Sequence, residues 1–216
     1  YHKKPSENIW AFNKEKFILF FWYRGSIRFA DWIKLFPLEM IEKIYYYSAP
    51  LGSAFKSEEI TDEDMKKYKV EKIALQEFSV NRNIFLEYLK KADIFICPRK
   101  QDGIGLPLIE GLSFGKFLVG HNDYTMKDYI RHNQNGFLYN IGHAEQVSAS
   151  VIQNSAAFRI KYAWEGYENW EKDEQKVKQL YAAFEFTHIS TPGMKVYLIM
   201  FYEFAKKIAK KFLNKN

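Results

Sequence analysis

Short, unbroken apolar runs alternate along this chain with longer stretches in which apolar residues recur every three or four positions. A run that lacks the every-second-residue pattern of a half-exposed strand reads as a strand covered on both faces, as in a parallel sheet. Phe17 to Tyr23 is the strongest such run and stops at the turn Arg24-Gly25-Ser26. Glu42 to Ser48, holding Ile44-Tyr45-Tyr46-Tyr47, predicts a second strand, and Lys69 to Leu75 a weaker third. Ile94-Phe95-Ile96-Cys97 follows, ended by Pro98, which cannot donate to a ladder. Lys116 to Gly120 is the next strand, and the turn pair Asn135-Gly136 leads into a short edge strand ending at Tyr139.

The intervening stretches have helical spacing. Helices are predicted over 27–36, interrupted by Pro37, and over 57–68, with Ser57 as N-cap and Glu58-Glu59 in the first turn. A third is expected from an Asn83 N-cap through Ala92, with Ile84, Phe85, Tyr88, Leu89 and Ala92 on one stripe. Further helices are expected over 106–114, closed by Gly115, over 125–131, 143–157, 158–170 and 172–184, and over 194–213 after the break Thr191-Pro192-Gly193. About six strands alternating with helices make an α/β fold, a Rossmann-like parallel sheet flanked by helices, with extra C-terminal helices. The expected division is one domain over 1–190 and a separate C-terminal helix over 191–216.

Composition narrows the function classes. With 47% hydrophobic and 27% charged residues the chain is globular. The net charge is +6, yet residues 194–216 carry six lysines against Glu203 alone, so the remainder is close to neutral. A near-neutral body lacks the basic stripe of a nucleic-acid binder. Within the tail, Tyr197, Leu198, Phe201, Phe204, Ala205, Ile208 and Phe212 can share one face, with Lys206, Lys207, Lys210 and Lys211 on the other. A basic amphipathic helix of this kind suits an anionic membrane surface or docks its apolar face on the domain. The single cysteine, Cys97, lies inside an apolar strand and reads as an inert thiol in a reducing, cytoplasmic compartment. The start is polar, without a leader-like apolar segment, and no run of about 20 apolar residues occurs. Beginning at Tyr1 without methionine, the sequence reads as a piece of something longer.

The candidate chemistry sits where the 94–97 strand gives way to the 106–114 helix. Between them runs Asp102-Gly103-Ile104-Gly105-Leu106-Pro107-Leu108-Ile109-Glu110. Glycines beside a helix start allow close backbone approach, and the free amide N–H groups there suit phosphate. Open α/β sheets bind ligands at the carboxyl ends of their strands, where this turn lies.

The segment resembles the donor-binding C-terminal domain of retaining GT-B glycosyltransferases, the group 1 or family 4 enzymes. Their pattern is a strand, then Glu-Gly-Phe-Gly-Leu-Pro-Leu-hydrophobic-Glu, then a helix ending in glycine. The resemblance covers roughly residues 84–140, including Asp128-Tyr129-Ile130 and Asn135-Gly136-Phe137-Leu138. It implies a UDP- or GDP-linked sugar as donor and no further cofactor. It also implies a glycan or lipid-linked acceptor, such as a lipopolysaccharide or capsule precursor, and an acceptor-binding domain upstream. Transfer would take place in the cytoplasm, peripheral on the inner face of the membrane. By the same resemblance, Gly103, Ile104, Gly105 and Leu106 meet the diphosphate, Glu110 the ribose, and Asp102 the donor sugar, one methylene shorter than the usual glutamate. Arg24 takes the place of the first diphosphate-binding cation. The position of the second is Phe29, so Arg28, one residue earlier, is its nearest substitute.

No His/Cys/Asp/Glu group has metal-site spacing, and GT-B enzymes typically need no metal. His121 is a weaker loop candidate. The intact Gly-x-Gly-Leu-Pro…Glu run points to an enzyme, though the donor half alone would turn over little or nothing. Asp102 and the displaced second cation point instead to a degenerate, non-catalytic scaffold subunit of the same fold, attached to a membrane. A dehydrogenase is disfavoured, because no Gly-x-Gly-x-x-Gly follows the first strand.

Overall fold

The computed structural model describes residues 14–48, 60–73, 78–100, 106–143 and 145–183. Six strands, β1 (Phe17–Tyr23), β2 (Ile41–Ser48), β3 (Val70–Ile73), β4 (Ile94–Ile96), β5 (Phe117–His121) and β6 (Gly136–Tyr139), form one sheet in the order β3-β2-β1-β4-β5-β6. Every pairing is parallel. The chain winds outward from β1 to β3, returns to the centre as β4 and winds outward the other way. This is the doubly wound order of the expected Rossmann-like fold, with its reversal between β1 and β4.

The unbroken apolar runs follow from this layering. Along β1, Phe17, Leu19 and Phe21 enter a core on one face, while Phe20 enters a second core on the other. β4 divides likewise, with Ile94 and Ile96 on the first face and Phe95 on the second, joined there by Cys97 just beyond the strand. A strand with apolar partners on both sides has no polar face to alternate with. The first core takes in α1 (Phe29–Trp32) and Ile152 of α6 (Ala149–Asn154). The second takes in α3 (Phe78–Lys91), α4 (Leu106–Ser113) and α5 (Tyr124–Tyr129). Cys97 is a buried free thiol.

Several boundaries differ from the expectation. The first helix is only Phe29–Trp32, continued by 3-10 turns over Ile33–Leu35 and Leu38–Met40 around Pro37. α2 is Asp62–Lys67, with Thr61 as its N-cap accepting from the Asp64 N–H at 3.1 Å, and Ser57 lies outside the described residues. Asn83 is not a cap, because α3 already begins at Phe78 and neither glycine nor proline breaks the chain between them. The turn before β6 is set by Asn133, at φ 59°, and by Asn135, whose side chain donates to the Tyr129 carbonyl and accepts from the Arg131 N–H. Gly136 is the first residue of the strand itself. The helices expected over 143–157, 158–170 and 172–184 are instead α6, capped by Ser148, and one long α7, Ala156–Ala183.

α4 ends as its sequence implies. Gly115 has φ 62°, its N–H reaches the Leu112 carbonyl, and the Lys116 N–H reaches that of Gly111, the paired bonds of a Schellman cap. The chain divides into two compact units at Tyr167/Glu168. In the first, charges are buried near the amino ends of the strands. The Lys116 ammonium donates to the carbonyls of Lys90 and Ala92, closing the end of α3, and burial pushes it down to about 8. Asp93 accepts from the Ile18 N–H at 2.8 Å and pairs with Lys14, and Arg159 donates to the Gly115 carbonyl. In the second unit, the described part of α7 carries an exposed pair, Lys176 with Asp173, and a half-buried one, Lys178 with Glu174. Among the described residues no helix is long and apolar enough to cross a membrane. Residues 191–216 lie outside them.

Gly136 provides a test of the register. A Cβ there would sit 2.1 Å from the Leu118 carbonyl oxygen, an atom of the neighbouring strand's backbone that cannot yield. Gly136→Ala is expected to lower stability by about 3 kcal/mol in urea unfolding, from overpacking and a displaced ladder. A loss under about 0.5 kcal/mol, the level of an ordinary surface change, would contradict this register.

Candidate functional site

The sheet order locates the site before any side chain is considered. Where β1 and β4 part, their following segments lead to opposite faces and leave a crevice outside their carboxyl ends. β1 delivers Arg24 to that edge and β4 delivers Pro98. The Ser26 hydroxyl donates to the Pro98 carbonyl at 3.2 Å, tying the two exits together. The Arg24 guanidinium lies 4.4 Å from the centre of the Trp22 ring, and Trp22 packs against Phe85 of α3. Arg24 is thus held on the side of the sheet that α3 and α4 cover. Its charge also acts on the Tyr47 hydroxyl, which burial pushes up and Arg24 draws back down.

α4 opens at the same edge with an exposed Leu106. Pro107 is tolerated in this first turn, where its missing N–H has no intrahelical partner to lose. Leu108 and Gly111 bury the inner face; a Cβ on Gly111 would come within 2.8 Å of Leu118, so the glycine lets the helix lie close on β5. Glu110 sits one turn in, on this mostly apolar helix, and is 5% exposed. Its carboxylate pairs with the Arg82 guanidinium from α3. Burial raises the carboxyl's pKa above the ordinary glutamate value, and Arg82 acts against that shift.

The expected site residues therefore divide. Arg24, Leu106 and Glu110 belong to elements that meet at the carboxyl edge on the α3–α4 side. Arg28 is engaged elsewhere: it is the N-cap residue of α1, with its guanidinium on the Asp31 carboxylate at 3.0 Å and its backbone N–H on the same side chain at 2.8 Å. α1 packs into the core on the other face. Asp102, Gly103, Ile104 and Gly105 lie outside the described residues. His121, at the end of β5, meets Tyr139 edge-on at 6.1 Å; its Nδ1 and the Tyr139 hydroxyl are buried without a hydrogen-bond partner among the described residues. Among those residues no group of three or more His, Cys, Asp or Glu could hold a metal ion.

Arg82 is the site residue that sequence reasoning missed. A local clue exists, since residues 82, 85 and 89 lie on one helical stripe and the last two are core residues. Nothing in the sequence, however, pairs that stripe with position 110.

Doubly wound sheet, switch-point crevice and helix start define a Rossmann-like domain. Residues 59–155, a little under half of the chain, match the family described as glycosyl transferases group 1. No curated protein sequence matches it. Among solved structures, Anabaena Alr3699/HepE in complex with UDP is similar at TM-score 0.53 and 11% identity, covering 79% of this chain and 50% of that one. The same protein with UDP-glucose gives 0.52 and 12%, covering 78% and 49%. The C-terminal domain of LpcC, a group 1 family protein from Francisella tularensis, gives 0.45 and 18%, covering 76% and 92%. At such identities HepE supports the fold. This chain spans about half the length of HepE.

Because burial raises the Glu110 pKa, the folded state holds a proton there at pH values where the unfolded chain has released it. Stability contributed by the protonated form is complete below the ordinary glutamate range and is lost as pH rises through and above it. Urea unfolding from pH 4 to 7 should therefore show the wild type losing stability relative to Glu110→Gln as pH rises. A constant difference would contradict the burial of this carboxyl.

Proposed function

We propose that this chain is the donor-binding part of a retaining glycosyltransferase of the family 4 kind, acting with an acceptor-binding domain outside this sequence. It binds a nucleoside diphosphate sugar at the carboxyl edge between β1 and β4. In the reaction the bond from the anomeric carbon to the phosphate oxygen breaks and the diphosphate leaves with the electron pair. An acceptor hydroxyl forms the new bond, and its proton passes to the departing diphosphate. Such transfer depends on position and on charge stabilisation of the leaving diphosphate.

The observation that carries this reading is Glu110: a buried acid one turn inside the helix that opens at the switch point, with its charge countered from α3. An ionised carboxylate there can accept from two ribose hydroxyls. Arg24 and the amide of Leu106 are assigned to the diphosphate, with Gly103, Ile104 and Gly105 completing the phosphate turn and Asp102 meeting the sugar. HepE's complexes with UDP and UDP-glucose make a uridine nucleotide the first donor to test. We assign the acceptor to surface-glycan synthesis on a lipid carrier, at the cytoplasmic face of a membrane. The basic, phenylalanine-rich 194–216 segment supports this assignment through its fit to an anionic surface.

One observation favours a second reading, a non-catalytic scaffold of the same fold. Phe29 stands at the second cation's position and Arg28 is engaged by Asp31, so Arg28 reaches a phosphate only by giving up that partner.

Nucleotide binding separates these readings, and a second measurement tests the membrane assignment. Millimolar UDP, GDP or ADP should raise the melting temperature of the 216-residue chain, and Glu110→Gln should remove most of the rise. If no nucleotide raises it, the scaffold reading stands. Separately, the full chain should co-sediment with vesicles containing anionic lipid, and a chain cut after Gly193 should not; equal binding by both removes the membrane assignment.

A further inference from the structure

Glu110 is placed at a physical cost. Pro107, Leu108 and Gly111 of its own helix are buried with it, and Phe95 and Leu118 lie behind Gly111. A carboxylate taken out of water into apolar surroundings keeps its charge only if a partner compensates; otherwise it takes up a proton. The proton matters for recognition. An ionised carboxylate offers acceptors on both oxygens, whereas the protonated group turns one oxygen into a donor and no longer accepts from two hydroxyls.

Arg82 supplies part of this compensation, from a different helix, and burial still leaves the carboxyl above its ordinary range. The arginine extends the buried stripe of α3 by one turn beyond Phe85 and Leu89, and these pack on the core around Phe20 and Phe95. The stripe aims position 82 at α4. Its side chain is 42% exposed against 7% for Glu110, so the guanidinium remains partly hydrated while its partner is shielded.

Other charges on the surrounding elements are engaged elsewhere. On α3, Glu87 pairs with Lys91 and Lys90 lies over the Phe114 ring. Arg24 lies over Trp22, and His121 ends β5 against Tyr139. α4 and β4 hold no other charged residue.

We propose that Arg82 is a positioning residue for nucleotide binding: reaching across from α3, its guanidinium holds the buried Glu110 carboxylate ionised and fixed for the ribose hydroxyls of a nucleoside diphosphate. This rests on the donor-binding reading of Glu110 and adds a dependence on pH. With Arg82 present, the site keeps its affinity through the neutral range. Without it, Glu110 gains a proton as the pH falls, and affinity falls with it.

The test is UDP affinity of the 216-residue chain by calorimetry from pH 5.5 to 8.5, each variant taken relative to wild type so that the titration of UDP itself cancels. Arg82→Met should bind within about threefold of wild type at pH 8.5 and at least tenfold more weakly at pH 6. Tenfold at fixed temperature corresponds to about 1.4 kcal/mol. Arg82→Lys should restore the wild-type profile, and Glu110→Gln should bind weakly at every pH. Adding Arg82→Met to Glu110→Gln should cause no further loss. Arg82→Gln serves as a second neutral variant should the methionine disturb folding, as judged by circular dichroism. A loss in Arg82→Met that is equal at all pH values, as a general packing role or a direct contact with the diphosphate would give, overturns the proposal. So does a further loss in the double variant. If the wild type itself binds neither UDP, GDP nor ADP, the donor-binding reading fails first and this proposal with it.

Discussion

The pairing of β1 with β4 is the constraint on which the rest of the structure depends. Leu19, Phe20 and Phe21 lie beside Ile94, Phe95 and Ile96, joining two strands that are more than seventy residues apart in sequence. Everything between them must wind away from the sheet and come back, and everything after β4 must wind outward on the other side. The crevice, the direction in which Arg24 leaves β1 and the place where α4 begins all follow from that single parallel contact. Its stability comes from two apolar layers, because each of these strands is covered on both faces.

The two ends of the sheet treat buried charge differently. At the amino end, Lys116 and Arg159 donate to backbone carbonyls that end α3 and α4, and Asp93 receives the Ile18 N–H. These charges complete the hydrogen bonding of helix and strand ends. At the carboxyl end, Glu110 is countered by a side chain, and that side chain belongs to another helix and is partly open to water. An acid held by a half-exposed arginine can share its oxygens with a ligand without dismantling a helix end. This difference sets the carboxyl end, where the candidate site lies, apart from the amino end, where buried charge completes the framework.

Much of the architecture was legible from the chain. The unbroken runs at Phe17–Tyr23 and Ile94–Ile96 announce strands buried on both sides, and Gly115 announces the end of α4. Boundaries were less so. Asn83 is a good capping residue, yet α3 begins five residues earlier, because capping preference is weaker than the packing that extends a helix over a core. Three predicted helices near the C-terminus became α6 and one long α7, since Ser155 ends the first and no proline or glycine divides Phe158 from Ala183 except Gly166, which a helix tolerates at modest cost.

For the site, the sequence by itself determined which groups were on offer. The spacing of Gly-x-Gly-Leu-Pro and Glu110, together with the strand that precedes them, sets an acid one turn inside a helix at the end of a strand, because local geometry depends on near neighbours alone. Only the tertiary structure decided which cation meets that acid. Arg24, Arg28 and Arg82 are equally arginine in the sequence; the first lies over Trp22, the second is held by Asp31 on the helix of the opposite face, and the third reaches Glu110. The physical reason is that ion pairing is settled by distance in space, and the distance between positions 82 and 110 is set by how α3 and α4 pack on the sheet.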